Sequence, residues 1–278
     1  MSKKKIFITA FHSFISKNIL NTDLFKSLIG QTDLDIWLIV PASKQSFYEA
    51  NYVQANVRVL SVNTDRITNL FWSRLFSRLA FLLQSSHYLN YKKIERRLKS
   101  KNSIKGWIHY YYEIGITKLL ANWSVVRKIF RKLFLLVPSS INISNLYDDL
   151  SPDVIFSTDV FDESDILISK EARKRNLPII GMVRSWDNCY SKGVLRVLPD
   201  WLVVNNEVIK DEVTTLHDMP AENIFVGGLP QFDAFLKKPI TPRDEFCRRV
   251  GLDPQKNLSS LLQPAVFYPI LTDKLLKF

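Results

Sequence analysis

Several classes of protein are excluded by what this sequence has little of. Its 278 residues include only two cysteines, Cys189 and Cys247, so it has no disulfide framework, and neither has nearby histidines at zinc-ligand spacing. Only eight glycines argue against fibrous and low-complexity classes. No uninterrupted apolar run approaches the roughly 20 residues that a membrane-spanning helix needs. These absences predict a globular protein of a reducing, cytoplasmic compartment.

Two common nucleotide-binding motifs are also absent from the sequence. It contains neither a GxGxxG fingerprint nor a P-loop, so a standard dinucleotide or Walker site is not expected. We therefore expect no cofactor and no metal. The start MSKKK is basic, but the apolar run after it has only about five residues, which is too short for the core of a signal peptide. That run predicts a first strand, and Ser13 or Ser16 can cap a helix that follows it to about Leu28.

The positive charge is concentrated in one aromatic-rich segment. Between Arg66 and Lys132 there are 15 lysines and arginines but only two acids, Glu95 and Glu113, a local charge of +13 in a chain whose total is +11. This segment fits a solvated basic face over a packed core. It also fits a surface for anionic lipid or a lipid-linked acceptor, at the inner face of the cell membrane. Nucleic acid is not expected as a partner, because no recognisable nucleic-acid module accompanies the charge.

Short apolar runs alternate with helical patterns along most of the chain. This alternation predicts an α/β fold with a parallel, Rossmann-like, doubly wound sheet. A long helical insertion, at about residues 67–149, interrupts the pattern. Phe71 and Trp72 are predicted on the apolar, packed face of its first helix. The predicted strands lie at residues 4–10, 35–41, 57–62 and 152–157, with three more between 178 and 233.

Polar residues follow three of the predicted strands. In an open α/β sheet, ligands bind beyond the carboxyl ends of the strands, so these residues are candidates for substrate binding. Each has a simpler interpretation: His12 as a partly buried loop residue, Asp159 and the neighbouring Asp162 as helix caps, and Asp187 with Asn188 as turn residues. The candidate substrate-binding residues are His12, Ser13, Asp159, Arg184, Ser185, Trp186 and Asn188.

Four passages resemble one group of enzymes. They are residues 11–20, 177–185, 198–204 and 220–234, the last of which reads PAENIFVGGLPQFDA. Together they resemble the first domain, and the exit from it, of GT-B-fold surface-polysaccharide glycosyltransferases. The CDP-glycerol glycerophosphotransferases of teichoic acid synthesis and the UDP-N-acetylglucosamine 2-epimerases share this likeness.

The resemblance implies two domains that bind different substrates. Residues 1–238 would form the Rossmann-like acceptor-side domain, and residues 239–278 a linker and the start of an incomplete second domain. A GT-B enzyme binds its nucleotide-sugar donor mainly in the second domain, and its glycan or lipid-linked acceptor in the first. We therefore expect either a prematurely stopped gene product or one half of a two-chain enzyme, inactive alone.

The resemblance also implies a catalytic residue. The glycerophosphotransferases carry a Trp-His-Gly signature at the corresponding strand end, with the histidine as base on the acceptor, and Asp187 takes that position here. A carboxylate is suited to accept a proton from a sugar hydroxyl. The epimerases have a glutamate there that this chain lacks, which argues against epimerase chemistry. The alternatives are a non-catalytic membrane-surface or interaction subunit, and a glycerophosphotransferase-like or epimerase-like enzyme.

Overall fold

The protein is an α/β structure built on one parallel sheet. The computed structural model describes residues 3–64, 71–99, 103–139, 141–236 and 241–255. Within these residues the strands are β1 (Lys4–Thr9), β2 (Leu34–Pro41), β3 (Val57–Val62), β4 (Val154–Ser157), β5 (Ile179–Met182), β6 (Trp201–Val204) and β7 (Ile224–Val226). All seven predicted strands are confirmed.

The sheet has the order β3-β2-β1-β4-β5-β6-β7, and every pair of neighbours is parallel. This is the strand order of a doubly wound Rossmann-like sheet with one more strand at the edge. The chain reverses its direction of winding between β1 and β4. Their carboxyl ends, Thr9 and Ser157, therefore flank the topological switch point, where such sheets bind ligands.

Helices cover both faces of the sheet. The α-helices are α1 (Asp23–Ile29), α2 (Gln45–Tyr52), α3 (Phe71–Leu82), α4 (His87–Lys99), α5 (Ile104–Leu120), α6 (Ser124–Leu136), α7 (Ile141–Leu150), α8 (Glu163–Lys174), α9 (Asn188–Ser191), α10 (Glu207–His217) and α11 (Arg243–Arg249). A π-helix spans Ser16–Leu20, and 3₁₀-helices span Ala42–Lys44, Ala221–Asn223 and Pro230–Leu236. The predicted helical insertion is confirmed by α3 to α7.

Alternating residues of the strands enter two separate cores. Phe7 of β1 packs with Phe134 of α6 and Tyr147 of α7 in one cluster, whereas its neighbours Ile6 and Ile8 pack on the opposite face, against α1 and α2. A third cluster fills the space beneath α10. The central strands are thus covered on both sides, which explains why their sequences read as continuous apolar runs.

Two local predictions are wrong. The helix expected from Ser13 or Ser16 to Leu28 is divided into the π-helix and α1, with Thr22 between them. In α3, Phe71 and Trp72 were predicted on the packed face but are exposed. Tertiary contacts select which arc of a largely apolar helix is buried.

The chain divides into two compact units at residues 234 and 235. In the second, α11 buries Cys247, whose carbonyl accepts a hydrogen bond from the Leu252 amide at 2.8 Å. The predicted boundary after residue 238 and residues 256–278 of the predicted second domain lie outside the described residues. The assignment of residues 239–278 to an incomplete second domain stays a prediction.

Candidate functional site

The floor of the candidate site is a buried network that joins β1 to β4 at the switch point. The Thr158 amide and hydroxyl donate to the Thr9 hydroxyl and carbonyl, at 2.9 and 2.8 Å. Asp165, at the start of α8, accepts hydrogen bonds from the Thr9 and Ser157 hydroxyls and from the Asp159 amide. Burial raises the pKa of Asp165 well above its ordinary value, with the charges of nearby aspartates acting in the same direction.

An ion pair lies above this floor. The Arg184 Nε donates to Asp159 Oδ2 at 2.5 Å, while Asp159 Oδ1 accepts from the Phe161 amide at 3.1 Å. Burial raises the pKa of Asp159, and Arg184 opposes that shift. Asp159 therefore does not act as the predicted helix cap. Asp162 does, because its side chain accepts from the Ser164 amide at 2.9 Å.

His12 belongs to the same group of charges. It follows β1 in the loop before the π-helix, half-buried, and its Nδ1 accepts from the Phe14 amide at 3.2 Å. Burial lowers the pKa of His12, and the nearby Arg184 guanidinium lowers it further against the opposing effect of Asp159. A neutral imidazole therefore stands at the switch point at neutral pH. Its neighbour Ser13 is exposed.

The loop after β5 carries the predicted catalytic residue. Asp187 is exposed, and its Oδ1 accepts a hydrogen bond from the Ser185 hydroxyl. Although Asp187 holds the N-cap position of α9, its side chain makes no capping hydrogen bond. Trp186 is 71% exposed, so its indole is open to solvent. The carboxylate is thus oriented by a neighbour and accessible.

The predicted residues form two groups within one strand edge. His12, Asp159 and Arg184 interact electrostatically, whereas Ser185 and Asp187, in the same loop as Arg184, pair with each other. Asn188 is buried, and its Nδ2 has no hydrogen-bond partner among the described residues. No described hydrogen bond or ion pair joins the two groups.

Sequence reasoning missed three residues at this edge. Thr9 and Asp165 form the buried floor, and Asn205 directly follows β6 with both side-chain polar atoms buried and unpartnered among the described residues. All three lie at a strand end or in the helix that follows one. Only their position relative to the carboxyl edge of a parallel sheet could have indicated them.

The described residues provide neither a metal site nor a membrane-spanning helix. No group of three histidine, cysteine, aspartate or glutamate side chains is placed to hold a metal ion. In that same part of the chain, no helix combines the length and the hydropathy required to cross a membrane.

Comparison with known proteins gives a structural likeness but no sequence match. No family model matches the sequence, and no curated protein matches it. Among solved structures, the chain is similar to a UDP-N-acetylglucosamine 2-epimerase, with 12% sequence identity and a TM-score of 0.47. The match covers 90% of this chain and 53% of that one, so the chain spans about half the length of its structural relative. At this identity and score, the likeness establishes neither family nor activity.

Proposed function

We propose that the chain is the acceptor-side part of a glycosyltransferase-like enzyme of surface polysaccharide biosynthesis. It would act in the cytoplasm, and a sugar would pass from a nucleotide-sugar donor to a glycan or lipid-linked acceptor. The observation that carries the proposal is the exposed Asp187 carboxylate, oriented by Ser185 at the carboxyl edge of the sheet. Ligands of open α/β sheets bind at this edge.

The proposed chemistry needs one proton acceptor. The acceptor hydroxyl oxygen forms a bond to the anomeric carbon of the donor, the bond from that carbon to the nucleotide diphosphate breaks, and the hydroxyl proton moves to Asp187. The hydrogen bond from Ser185 occupies one carboxylate oxygen and leaves the other to take the proton. The nucleotide diphosphate leaves with the bonding electrons.

The remaining residues are suited to holding a sugar. Neutral His12 can exchange hydrogen bonds with sugar hydroxyls, and the Arg184 guanidinium retains N–H groups besides the one bound to Asp159. The exposed Trp186 ring offers a flat apolar surface to the C–H face of a pyranose. Ser13 adds an exposed hydroxyl to the same edge.

Transfer assays on Asp187 variants test the proposal. Because the chain is expected to be inactive alone, it is supplemented with a separately expressed donor-binding domain and incubated with membranes or glycan extracts and a panel of labelled nucleotide sugars. CDP-glycerol is a separate arm for the glycerophosphotransferase alternative. Asp187→Asn is expected to lower turnover about 100-fold or more, because a positioned general base contributes on that scale. Glycan binding, followed by saturation-transfer NMR, is expected to persist.

The matched control is Asp211→Asn, which removes an exposed carboxylate from α10. It is expected to behave as wild type. Equal turnover in Asp187→Asn and wild type would reject the catalytic assignment. Absence of both transfer and glycan binding in the wild-type chain would reject the acceptor-side function.

A second candidate function is a membrane-surface subunit, and the exposed face of α6 favours it. Val125, Ile129, Leu133 and Leu136 are all more than half exposed and recur at helical spacing. The helix contains no acid, and its exposed lysines lie beside this stripe. An apolar stripe flanked by lysines suits the interface of an anionic bilayer.

A further inference from the structure

A groove lined by arginines lies between the helical insertion and the start of α8. It has a volume of about 390 Å³. Its lining residues are Ser73, Arg74, Ser77, Arg78, Phe81, Arg96 and Glu163. Five of these seven belong to α3 at spacings that place them on one face of the helix. One face of α3 therefore forms most of the groove, and Arg96 of α4 and Glu163 of α8 complete its lining.

The lining is strongly cationic. It contains three guanidinium groups and one carboxylate, Glu163. That carboxylate is engaged elsewhere, since both its oxygens accept hydrogen bonds from Arg196, Oε1 at 2.9 Å. Arg74 and Arg78 are four residues apart on α3, a spacing at which like charges repel. An anion bound between them would relieve that repulsion.

Two arginines of the groove are held in place while keeping donors available. Arg96 Nη1 donates to Glu113 at 3.2 Å, and Arg78 Nη2 contacts His109 Nε2 at 3.2 Å. Each of these contacts uses one nitrogen of a group that carries five N–H donors. Guanidinium groups fixed in this way bind phosphate oxygens in pairs, with the hydroxyls of Ser73 and Ser77 as further donors.

The groove begins at the same edge of the sheet as the candidate site. Glu163 is the first residue of α8 and follows Asp159 by only four positions. We propose that the groove is a binding site for a diphosphate group, carried by a lipid-linked or a nucleotide-linked ligand. This inference goes beyond the proposed function and does not depend on sugar transfer.

Calorimetric titration with three diphosphates tests this site. Inorganic pyrophosphate probes the shared chemistry, while UDP and geranyl diphosphate distinguish a nucleotide source from a lipid source. The wild-type chain is expected to bind pyrophosphate with one-to-one stoichiometry. The double variant Arg74→Gln/Arg78→Gln is expected to bind about tenfold more weakly or worse, because it loses charge-assisted hydrogen bonds. Tighter binding of UDP would indicate a nucleotide-linked ligand, and tighter binding of geranyl diphosphate a lipid-linked one.

Two further variants make the test specific. Lys128→Gln/Lys132→Gln removes the same charge from exposed positions on α6 and is expected to leave pyrophosphate affinity unchanged. Ser77→Asp leaves every arginine in place and adds a carboxylate to the groove, so it is expected to abolish binding even if the double variant folds poorly. Circular dichroism and thermal unfolding confirm folding.

Two outcomes would overturn the proposal. One is an absence of saturable pyrophosphate binding by the wild-type chain. The other is an equal loss in the groove and α6 variants, which would indicate attraction by net charge alone. Asp187→Asn is expected to bind pyrophosphate normally, so failure of this site and failure of the proposed transfer function are separable.

Discussion

Asp165 shows how a single buried carboxyl group can organise a strand edge. It has no cationic partner among the described residues, and it accepts hydrogen bonds from Thr9, Ser157 and the Asp159 amide through the same oxygen, Oδ1. Its Oδ2 can carry a proton, which fits the raised pKa of this group. In its protonated form, Asp165 would join β1 to β4 without a buried charge.

The raised pKa of Asp165 predicts a specific pH dependence of stability. The folded protein holds this proton more tightly than the unfolded chain, where the pKa is near 3.8. The stabilisation is therefore full below that pH and is lost as the pH rises through the folded-state pKa. Asp165→Asn keeps an acceptor and cannot ionise. Urea denaturation is expected to show less loss of stability for this variant than for wild type between about pH 4 and pH 8.

Asp165→Ala provides the control. It leaves three donors without their acceptor and is expected to lower the free energy of unfolding by about 3 kcal/mol at both ends of this pH range. If Asp165→Asn is as unstable as Asp165→Ala at the higher pH, the carboxyl group is ionised and required in the native state, and the interpretation is wrong.

At the scale of elements, α6 reverses the usual arrangement of an amphipathic helix. Its buried face carries Arg127 and Arg131, which both pair with Asp218, alongside two phenylalanines. The ion pairs hold the pKa of Asp218 at about 2, against the opposing effect of its burial. The arginines are thereby satisfied inside the protein, and the apolar stripe defined by Val125 and Leu136 is left outside.

Vesicle co-sedimentation tests the membrane function of this stripe. Wild-type chain is expected to bind vesicles of phosphatidylcholine and phosphatidylserine at low salt, where screening is weakest. Ile129→Ser/Leu133→Ser is expected to weaken binding about tenfold or more, because two apolar side chains no longer enter the lipid. Val208→Ser, an equally exposed position on α10, is expected to bind as wild type.

The wild-type chain could also fail to sediment with anionic vesicles at low salt. That result would remove the membrane function. A dimer in light scattering that Ile129→Ser/Leu133→Ser dissociates would instead assign the stripe to contact between two copies of the chain.

The sequence predicts elements of this fold better than it predicts contacts. Strand β3 was predicted at its observed bounds, 57–62, because a short run dominated by valine and leucine is typical of a strand, even though only Val57 and Val62 are buried at this edge of the sheet. The π-helix was not predicted, since its hydrogen-bonding register leaves no periodic signal in the sequence. Asp159 and Arg184 were both singled out, but their ion pair depends on the spatial order of β4 and β5. Asp165 was missed because only tertiary packing buries it.

The whole molecule consists of a sheet and an inserted helical segment with very different charge. Within that segment, the stretch from Arg66 to Lys132 carries +13, so the remainder of the chain has a net charge of only −2. Besides the shared core under α6 and α7, the two are joined where residues 189–194 pass α3 and the turn after it. The Val194 amide donates to the Ala80 carbonyl at 3.1 Å, and the Ser86 hydroxyl donates to the Tyr190 carbonyl at 2.9 Å.

The absence of a side chain at Gly193 allows the loop of residues 189–194 to approach α3 closely. Its φ is +80°, and a Cβ there would lie 2.7 Å from the Ala80 carbonyl carbon and 2.8 Å from the Phe81 amide nitrogen. Gly193→Ala is therefore expected to cost about 2 kcal/mol or more, through backbone strain and through separation of α3 from the loop. Chemical denaturation measures the cost, and faster tryptic cleavage at the arginines of α3 would report the separation.

Gly228→Ala separates these two causes. Gly228 also has a positive φ, +71°, but a Cβ there would meet nothing within 4 Å. It should therefore show only the backbone strain, about 1 kcal/mol, with wild-type cleavage of α3. Equal destabilisation by the two substitutions would mean that close approach at Gly193 contributes nothing. A larger effect at Gly193, together with exposed α3, would show that this contact holds the cationic helices, and with them the arginine groove, on the sheet.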